Sequence, residues 1–311
     1  MRVKIVLLYE NDLGKTLCEV ASRILTAISL SFGHSFVVSM RRTSARDVED
    51  AVLDVCLDAD AVLVSASDMR ALDSLVMELG CLSRVRELRY DHLIENRSLM
   101  GEDKPLRAMV VQALESEMEA LASAVQTAYA VAEREDLPIH AVPPTGKLMQ
   151  DWQEALKTPQ GKKHKHDWSL PEALPAIIRD PVNVGVVLCP PYAGMVLAPA
   201  VTALCGAPAM GYDQYLGGQC PLYVALATEE ATVGERANPF GMLRAVYALL
   251  RDSLNMELEA GCVEAAFRNV LQAGWRSADI ASPGLPQLNA EGIADLLCQQ
   301  IEVAGEWVTH Q

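Results

Sequence analysis

The stretch that decides the fold is Val182–Gly206, which has the sequence VNVGVVLCPPYAGMVLAPAVTALCG. Its first part, through Leu188, is an apolar and β-branched run, which predicts a strand buried on both faces of a sheet. Two prolines then interrupt the run, and the small and apolar residues after them predict a loop followed by a helix. No carboxylate occurs between Asp180 and Asp213. The segment therefore predicts a buried strand, a loop and a helix that offer no charged oxygen ligand.

Composition limits the classes of partner. The chain has 311 residues, enough for one large domain or two medium ones with a substantial core. Its formal net charge of −15 opposes nonspecific binding to nucleic acid, which needs clustered Lys and Arg, and docking on anionic membranes. We therefore expect neither nucleic acid nor a membrane among its partners.

Cysteine usage indicates a reducing compartment. The eight cysteines are scattered and form no CxxC pair, so neither a zinc knuckle nor a thioredoxin-like motif is present. Reduced core cysteines are typical of cytoplasmic proteins, which predicts a cytoplasmic location. The apolar run in Met1–Tyr9 is too short for a signal peptide. The uncharged stretch 181–212 is long enough for a membrane span, but its prolines favour the buried strand, loop and helix.

Elsewhere, apolar runs alternate with amphipathic segments. This alternation favours an α/β sheet with helices on its faces. Strands are predicted at 3–9, 36–40, 61–65, 107–114, 139–142 and 182–188. Helices are predicted at 13–28, 47–57, 115–135, 240–258, 262–272 and 290–303. Residues 161–166 are predicted to form a basic loop, and Gly274 to end a helix in the left-handed conformation.

Residues near both ends of the chain carry a family resemblance. Ala237-Asn238-Pro239 opens a long predicted helix, and Cys262–Asp279 has the sequence CVEAAFRNVLQAGWRSAD. These segments resemble the A-N-P helix and the "EAA..VL..G.RTAD" segment of the isopropylmalate/isocitrate dehydrogenase family, the β-decarboxylating dehydrogenases. Ile5–Gly14, IVLLYENDLG, resembles that family's "IAVLPGDGIG" start. The order and spacing of these landmarks carry through most of the chain.

The resemblance implies an isopropylmalate dehydrogenase-like α/β fold, with two α/β domains around a continuous sheet and a cleft between them. Residues 1–95 and 210–311 would form the large, nucleotide-type domain, and residues 96–209 the central domain, which dimerises in the family. The family's two-stranded clasp arm has no counterpart, because the chain runs from Gln112 almost directly into the helix at Glu115. We still expect a homodimer, formed by helices of the central domain.

The family's metal-binding positions carry no carboxylate in this chain. An Asn, an Asp and a second Asp one helical turn later are matched by Pro191, Met195 and Pro199. The third metal aspartate, which the partner subunit supplies in the family, matches Pro171, with Glu172 adjacent. Mg²⁺ and Mn²⁺ prefer hard oxygen ligands, so the resemblance implies that no metal site remains.

The nucleotide-binding positions are also altered. Only Gly14 persists from the family's Pro-Gly-Asp-Gly-Ile-Gly-Pro-Glu turn, and an acidic side chain at a glycine position would repel a pyrophosphate. Counting back from Asn238, the adenine-facing His is Ala225 and the ribose-binding Asp is Glu230. The candidates for NAD(P) contact are therefore Gly14, Glu230 and Asn238. Because Asn before Pro is also a good helix cap, capping is the favoured role of Asn238.

The family's substrate arginines are matched with altered spacing. Arg86, Arg89 and Arg97 form a basic cluster, whereas the arginine of the next strand is replaced by Gln112. The cluster could bind the carboxylates of a substrate, since guanidinium groups pair with carboxylates in a forked geometry. The alternative, which is favoured, is that Arg84, Arg86 and Arg89 line a solvated helix face.

Two residues are candidates for the chemical step. The family's catalytic Tyr lies just before the clasp arm and has no counterpart. Lys147 could replace the catalytic Lys, although a surface lysine beside a turn is the favoured interpretation. Cys189 directly follows a predicted strand, where sites of α/β proteins commonly lie. It could be a nucleophile or, as is favoured, a buried structural thiol.

These differences together favour loss of the family's reaction. Oxidative decarboxylation needs a cation, a positioned acid and base, and guanidinium groups for the carboxylates. We therefore expect a protein that binds a small acidic ligand or a partner. One alternative is an active NAD(P)-dependent oxidoreductase on a 2-hydroxy acid, with Mg²⁺ or Mn²⁺ and a remodelled site. Another is an acyl or phosphoryl transfer enzyme on the same fold, and fold analogy alone does not choose among these.

Overall fold

The computed structural model describes residues 2–43, 48–66, 69–90, 106–157, 164–180, 183–204, 208–226 and 238–309. The strands are β1 (Arg2–Tyr9), β2 (Ser35–Arg42), β3 (Ala61–Ala66), β4 (Ser83–Tyr90), β5 (Leu106–Ala113), β6 (Ile139–Ala141), β7 (His164–Asp167), β8 (Gly185–Cys189), β9 (Tyr212–Leu216) and β10 (Leu222–Leu226). The helices are α1 (Asp12–Phe32), α2 (Asp50–Leu57), α3 (Met69–Glu78), α4 (Met118–Arg134), α5 (Leu148–Ala155), α6 (Leu170–Arg179), α7 (Pro191–Leu204), α8 (Phe240–Ala248), α9 (Glu257–Gln272) and α10 (Ala290–Thr309).

The strands follow the order β2-β1-β3-β10-β9-β4-β5-β8-β6-β7 in a ten-stranded sheet. β1 pairs in parallel with β2 and β3, and β5 pairs in parallel with β8. β4 runs antiparallel to β5, with Arg84 opposite Gln112. The predicted α/β architecture is confirmed. The chain forms two compact units, one of residues 1–79, 207–212 and 219–311 and the other of residues 80–206 and 213–218.

The first unit is organised around α1, which packs on β1 and β3. The helix begins where the side chain of Asn11 accepts a hydrogen bond from the Gly14 amide at 2.9 Å. It ends at Gly33, which takes the left-handed conformation with φ 72°. Between these caps, buried apolar residues recur at helical spacing. The α10 helix packs along α1, and Arg23 pairs with Asp295 between the two.

The second unit has a separate core on each face of its strands. Side chains of one face, including Val111 and Leu188, pack against α4 and the fully buried Trp152 of α5. Side chains of the other face, including Val110 and Val187, pack against α6 and α7. Successive residues of a strand point to opposite faces, so β5 and β8 each contribute to both cores. β5 and β8 are therefore apolar on both sides, as the continuous run before Cys189 predicts.

The strand, loop and helix predicted from Val182–Gly206 are confirmed as β8 and α7. The helix buries its small residues, among them Gly194 and Ala198, and exposes Tyr192, Met195 and Val196. Of the helices that the structure describes, none is long and apolar enough to cross a membrane.

Two predicted elements differ from the structure. The helix predicted at 240–258 is interrupted: α8 ends at Ala248, Leu249–Ser253 forms a π-helical turn, and Asn255 has a φ of 53°. A left-handed residue cannot continue a right-handed helix, so α9 begins anew. The predicted basic loop is wrong for its last residues, because His164–Asp167 pairs with β6 as an edge strand. Residues 161–163 lie outside the described residues.

Candidate functional site

Polar side chains of the second unit converge where β5 and β8 end. Gln112 and Cys189 are paired at the carboxyl ends of these parallel strands, and α7 begins two residues after Cys189. The antiparallel strand β4 brings Arg84 opposite Gln112, and Arg86 lies on the same face two residues on. The carboxyl edge of parallel strands is where α/β proteins place their ligands. We therefore take this edge as the candidate site.

Arg86 is engaged in a buried ion pair. Its Nε and Nη2 donate to Asp213 Oδ1 and Oδ2 at 2.7 and 2.5 Å, which is the forked geometry of the strongest guanidinium–carboxylate pairs. Asp213 is fully buried and Arg86 is 8% exposed. Burial lowers the pKa of Arg86, but the charge and hydrogen bonds of Asp213 outweigh burial and raise it. The interpretation of these arginines as a solvated helix face is wrong, because residues 83–90 form a strand and Arg86 is buried.

Two further groups fix the Arg86 side chain. Its Nη1 donates to Thr202 Oγ1 at 3.3 Å, and Thr202 in turn donates to the Ala198 carbonyl at 2.8 Å. The pair is thus held between β4, β9 and α7. Asp213 and Thr202 engage three of the five N–H donors of this guanidinium, and the carboxylate of Asp213 already compensates its charge, which disfavours a substrate carboxylate as a second anionic partner.

Arg84 lies beside this pair and contacts neutral groups. Its Nη2 donates to Gln112 Oε1 at 2.6 Å, and it forms a second side-chain hydrogen bond with Tyr215. Burial and the charge of Asp213 raise the pKa of Tyr215, whereas Arg84 and Arg86 oppose that rise. Tyr215 is therefore a neutral hydroxyl at physiological pH.

The positions that match the family's metal ligands do not fit a divalent cation. Pro191 is half-buried at the start of α7, and Met195 and Pro199 are exposed on its outer face. None of the three offers an oxygen donor from its side chain. Glu172 Oε2 instead accepts from Ser169 N at 2.8 Å and from Ser169 Oγ at 2.7 Å, a capping box that starts α6. Across the described residues, no group of three or more His, Cys, Asp or Glu side chains could hold a metal ion.

Cys189 lies in an environment that opposes nucleophilic chemistry. The side chain is fully buried, and its Sγ donates to the Val111 carbonyl at 3.7 Å. Burial raises the pKa of the thiol to about 12, although the charge of Arg84 lowers it somewhat. The thiolate is the reactive form of cysteine, so this position favours the structural role.

The buried thiols should make the protein less stable at alkaline pH. Burial raises the pKa values of Cys18, Cys81 and Cys189 from 9.0 to about 12. In the unfolded chain these thiols ionise above pH 9, so their contribution to stability is complete below pH 9 and is lost as pH rises toward 12. Each should lower the free energy of unfolding by about 1.4 kcal/mol per pH unit in that window. Urea denaturation between about pH 8 and pH 10.5 measures the slope.

Replacing Cys189 by alanine provides the matched control, because it should reduce that slope without changing its sign. Ellman's reagent tests the same feature on the folded protein near neutral pH, where, of the cysteines that the structure describes, half-buried Cys262 and Cys298 should react first. Rapid modification of Cys189, or a stability that stays flat as pH rises above the ordinary thiol pKa, would contradict the burial of these thiols.

The candidate cofactor residues of the first unit have structural roles. Asn238 Oδ1 accepts from the Phe240 amide at 2.9 Å, and its Nδ2 donates to Asp279 Oδ2 at 2.7 Å. These bonds agree with the capping role that Asn-Pro predicts. A Cβ at Gly14 would lie 3.1 Å from the Ser65 carbonyl oxygen, so close packing of α1 also accounts for this glycine. Glu230 lies outside the described residues.

The remaining candidate residues do not converge with Arg86 in the described part of the chain. Lys147 is exposed just before α5, which agrees with its interpretation as a surface lysine beside a turn. Arg89 belongs to β4, where it is paired with Arg107, but its side chain is outside the described residues. Arg97 lies outside them altogether.

Sequence reasoning missed Asp213 and Tyr215. Both lie on β9, a strand whose residues from Tyr212 to Tyr215 are buried. An aspartate within an apolar strand is a usable signal, because a buried carboxylate needs a cationic or hydrogen-bonding partner. The pattern does not say which cation that is, since Arg86 lies far away in sequence.

Curated proteins that are similar to this chain over most of its length include several 3-isopropylmalate dehydrogenases. The chain is 24% identical to the 3-isopropylmalate dehydrogenase of Wolinella succinogenes, over 92% of this chain and 94% of that one. It is 25% identical to the enzyme of that name from Saccharophagus degradans, over 97% of this chain and 100% of the relative. No family model matches the chain.

Solved structures share the fold. The isocitrate dehydrogenase from Methylococcus capsulatus aligns with a TM-score of 0.80 and 15% identity, over 96% of this chain and 99% of that one. The TT0538 protein from Thermus thermophilus aligns with a TM-score of 0.81 and 14% identity, over 96% of this chain and 68% of that one. The predicted isopropylmalate dehydrogenase-like fold is confirmed, and over almost its whole length the sequence is similar to 3-isopropylmalate dehydrogenases.

Proposed function

We propose that this chain no longer catalyses metal- and NAD(P)-dependent oxidative decarboxylation and instead binds a small acidic ligand or a partner protein. The observation that carries the proposal is the buried ion pair of Arg86 with Asp213. An internal carboxylate takes the place on this guanidinium that a substrate carboxylate would need. Two further features support the proposal independently: the residues at the positions of the metal ligands, and the residues at the positions that contact cofactor and substrate.

The missing metal ligands give the first support. The family's reaction uses a divalent cation to polarise the hydroxyl of the substrate and to hold the developing enolate. Pro191, Met195 and Pro199 supply no charged oxygen at the matching positions of α7. No single substitution restores such a site, because octahedral coordination of Mg²⁺ or Mn²⁺ needs several hard ligands.

The residues that remain at the family's cofactor and substrate positions give the second support. Asn238 uses both polar atoms of its side chain within the protein, on the Phe240 amide and on Asp279. Gln112 stands where the family has a substrate arginine and accepts a hydrogen bond from Arg84. These residues retain the architecture of the fold without its catalytic groups.

We also propose that the protein forms a homodimer. The outer face of α7 carries Tyr192, Met195 and Val196, and Ile178 is exposed on the neighbouring α6. Large apolar side chains that are grouped on one face are typical of protein–protein interfaces. Sedimentation velocity gives the number of subunits directly, and a monomer at micromolar concentration would contradict the dimer.

Calorimetric titration with NAD⁺ and NADP⁺, with and without Mn²⁺, tests the loss of the family's reaction. We expect no saturable heat from either nucleotide with a protein shown by circular dichroism to be folded. An active family member, titrated in the same buffer, is the positive control. Micromolar binding would contradict the proposal and favour an active oxidoreductase on a 2-hydroxy acid with a remodelled site.

A further inference from the structure

We propose that Arg84 is the receptor for a small oxyanion, a carboxylate or phosphate group, at the carboxyl edge of β5 and β8. The inference rests on the proposed function, because it names the residue that would hold the small acidic ligand. It goes beyond the family resemblance, since the cluster matched to the substrate arginines comprises Arg86, Arg89 and Arg97. It also specifies which part of the ligand Arg84 would bind, namely a single anionic group.

Charge balance at the site carries the inference. Arg84 and Arg86 each bring one positive charge, and Asp213 brings one negative charge that is bound to Arg86 through two hydrogen bonds. Among the described side chains, Arg84 has no carboxylate partner: its partners are the neutral Gln112 and Tyr215. A half-buried cation with only neutral partners is a net charge that has been partly removed from water, and a bound anion would compensate that charge.

Hydrogen-bonding capacity points the same way. A guanidinium has five N–H donors in a planar fork, and Arg84 uses two hydrogen bonds to Gln112 and Tyr215. These bonds orient the plane of the group and leave the other donors for a ligand. Gln112 is itself held against α7, where a Cβ on Gly194 would overlap its side chain. The structure thus holds Arg84 in place before any ligand binds, which reduces the entropy that binding would cost.

Accessibility separates Arg84 from its neighbour. Arg86 is 8% exposed and its fork is occupied, whereas Arg84 is only partly buried. Its strand position places it opposite Gln112, at the edge where β5 and β8 end and where α/β proteins bind ligands. The net charge of −15 over the chain disfavours polyanions. A single small oxyanion is therefore the class of ligand that this site fits.

Titration calorimetry with two probes, sodium acetate and sodium phosphate, tests the inference. We expect at least one probe to bind the wild-type protein saturably, and Arg84→Gln to weaken that binding at least tenfold. Arg84→Lys keeps the positive charge but loses the planar, two-pronged set of guanidinium donors, so its affinity for the probe should lie between those of wild type and Arg84→Gln. Arg179→Gln removes an exposed arginine at the end of α6 and should leave the affinity unchanged.

The two probes also separate a carboxylate from a phosphate ligand, because the tighter probe identifies the group. Equal affinities of wild type and Arg84→Gln, both folded, would overturn the inference, and so would the absence of saturable binding of either probe to wild type. Titration with NAD⁺ is a separate readout. If NAD⁺ binds and the binding of acetate or phosphate still depends on Arg84, the proposed function fails while the anion site stands.

Discussion

Replacing Asp213 by alanine is expected to lower the free energy of unfolding by about 3–5 kcal/mol, the range observed when one member of a buried ion pair is removed. The reason is the charge left behind. Arg86 would keep its positive charge within a site where it is 8% exposed, and of its hydrogen bonds to described residues only the one from Nη1 to Thr202 would remain. Urea denaturation followed by circular dichroism at neutral pH measures the change.

A double variant distinguishes the unpaired charge from the cavity. Arg86→Met together with Asp213→Leu removes both charges and fills much of the same volume, so it should recover most of the lost stability. Formate provides a second control, because a small carboxylate can occupy the space that Asp213→Ala opens. It should stabilise that variant more than wild type. An Asp213→Ala protein within about 1 kcal/mol of wild type would show that the pair is not the buried contact described above.

Short-range patterns are sufficient to predict most of the fold. The apolar run at residues 3–9 predicts β1, because a strand buried on both faces is apolar at every position. The apolar residues that recur from Leu13 predict α1, because a helix that buries one face is apolar at every third or fourth position. Gly274 is predicted to end α9 in the left-handed conformation and has a φ of 89°. These features depend on neighbours within a few residues.

The break after α8 cannot be predicted in the same way. Residues 240–258 keep an apolar character throughout, which favours one helix. The π-helical turn at Leu249–Ser253 and the left-handed Asn255 depend on tertiary contacts, such as the 2.5 Å hydrogen bond between Tyr223 and Ser253. A contact between β10 and a helix end leaves no periodic signal.

The candidate site shows the same limit more strongly. The sequence offers Arg86 as one candidate for a substrate arginine, although it favours a solvated helix face, and it shows no carboxylate at the positions that match the metal ligands, because both inferences follow from local motifs. The partner of Arg86 is 127 residues away, and nothing in either segment specifies the pairing. The ion pair changes the chemistry of the site, because the guanidinium of Arg86 is bound to an internal carboxylate and is not available to a ligand carboxylate. A resemblance in motif can therefore predict where a site lies more reliably than it predicts what the site does.

Gly241→Ala is expected to destabilise the protein by about 2–3 kcal/mol, although alanine is the better helix former. Gly241 lies in the first turn of α8, and its backbone packs directly against residues 209–211. An added Cβ would overlap the carbonyl oxygen of Ala209 and lie 3.0 Å from that of Gly211. Both atoms belong to the backbone, so a side chain cannot rotate away to make room, and the helix itself would have to shift.

Gly261→Ala is the matched control, because it makes the same change within a helix where there is space. Gly261 is exposed in α9, and apart from its chain neighbours and the backbone of its own helix no described atom lies within 4 Å of the position that its Cβ would take. This variant should gain about 0.5–1 kcal/mol from the lower backbone entropy of the unfolded chain. Thermal and urea denaturation of both variants should therefore move in opposite directions. If Gly241→Ala were as stable as Gly261→Ala, α8 would not be packed against residues 209–211 at backbone distance, and the absence of a side chain at Gly241 would need another explanation.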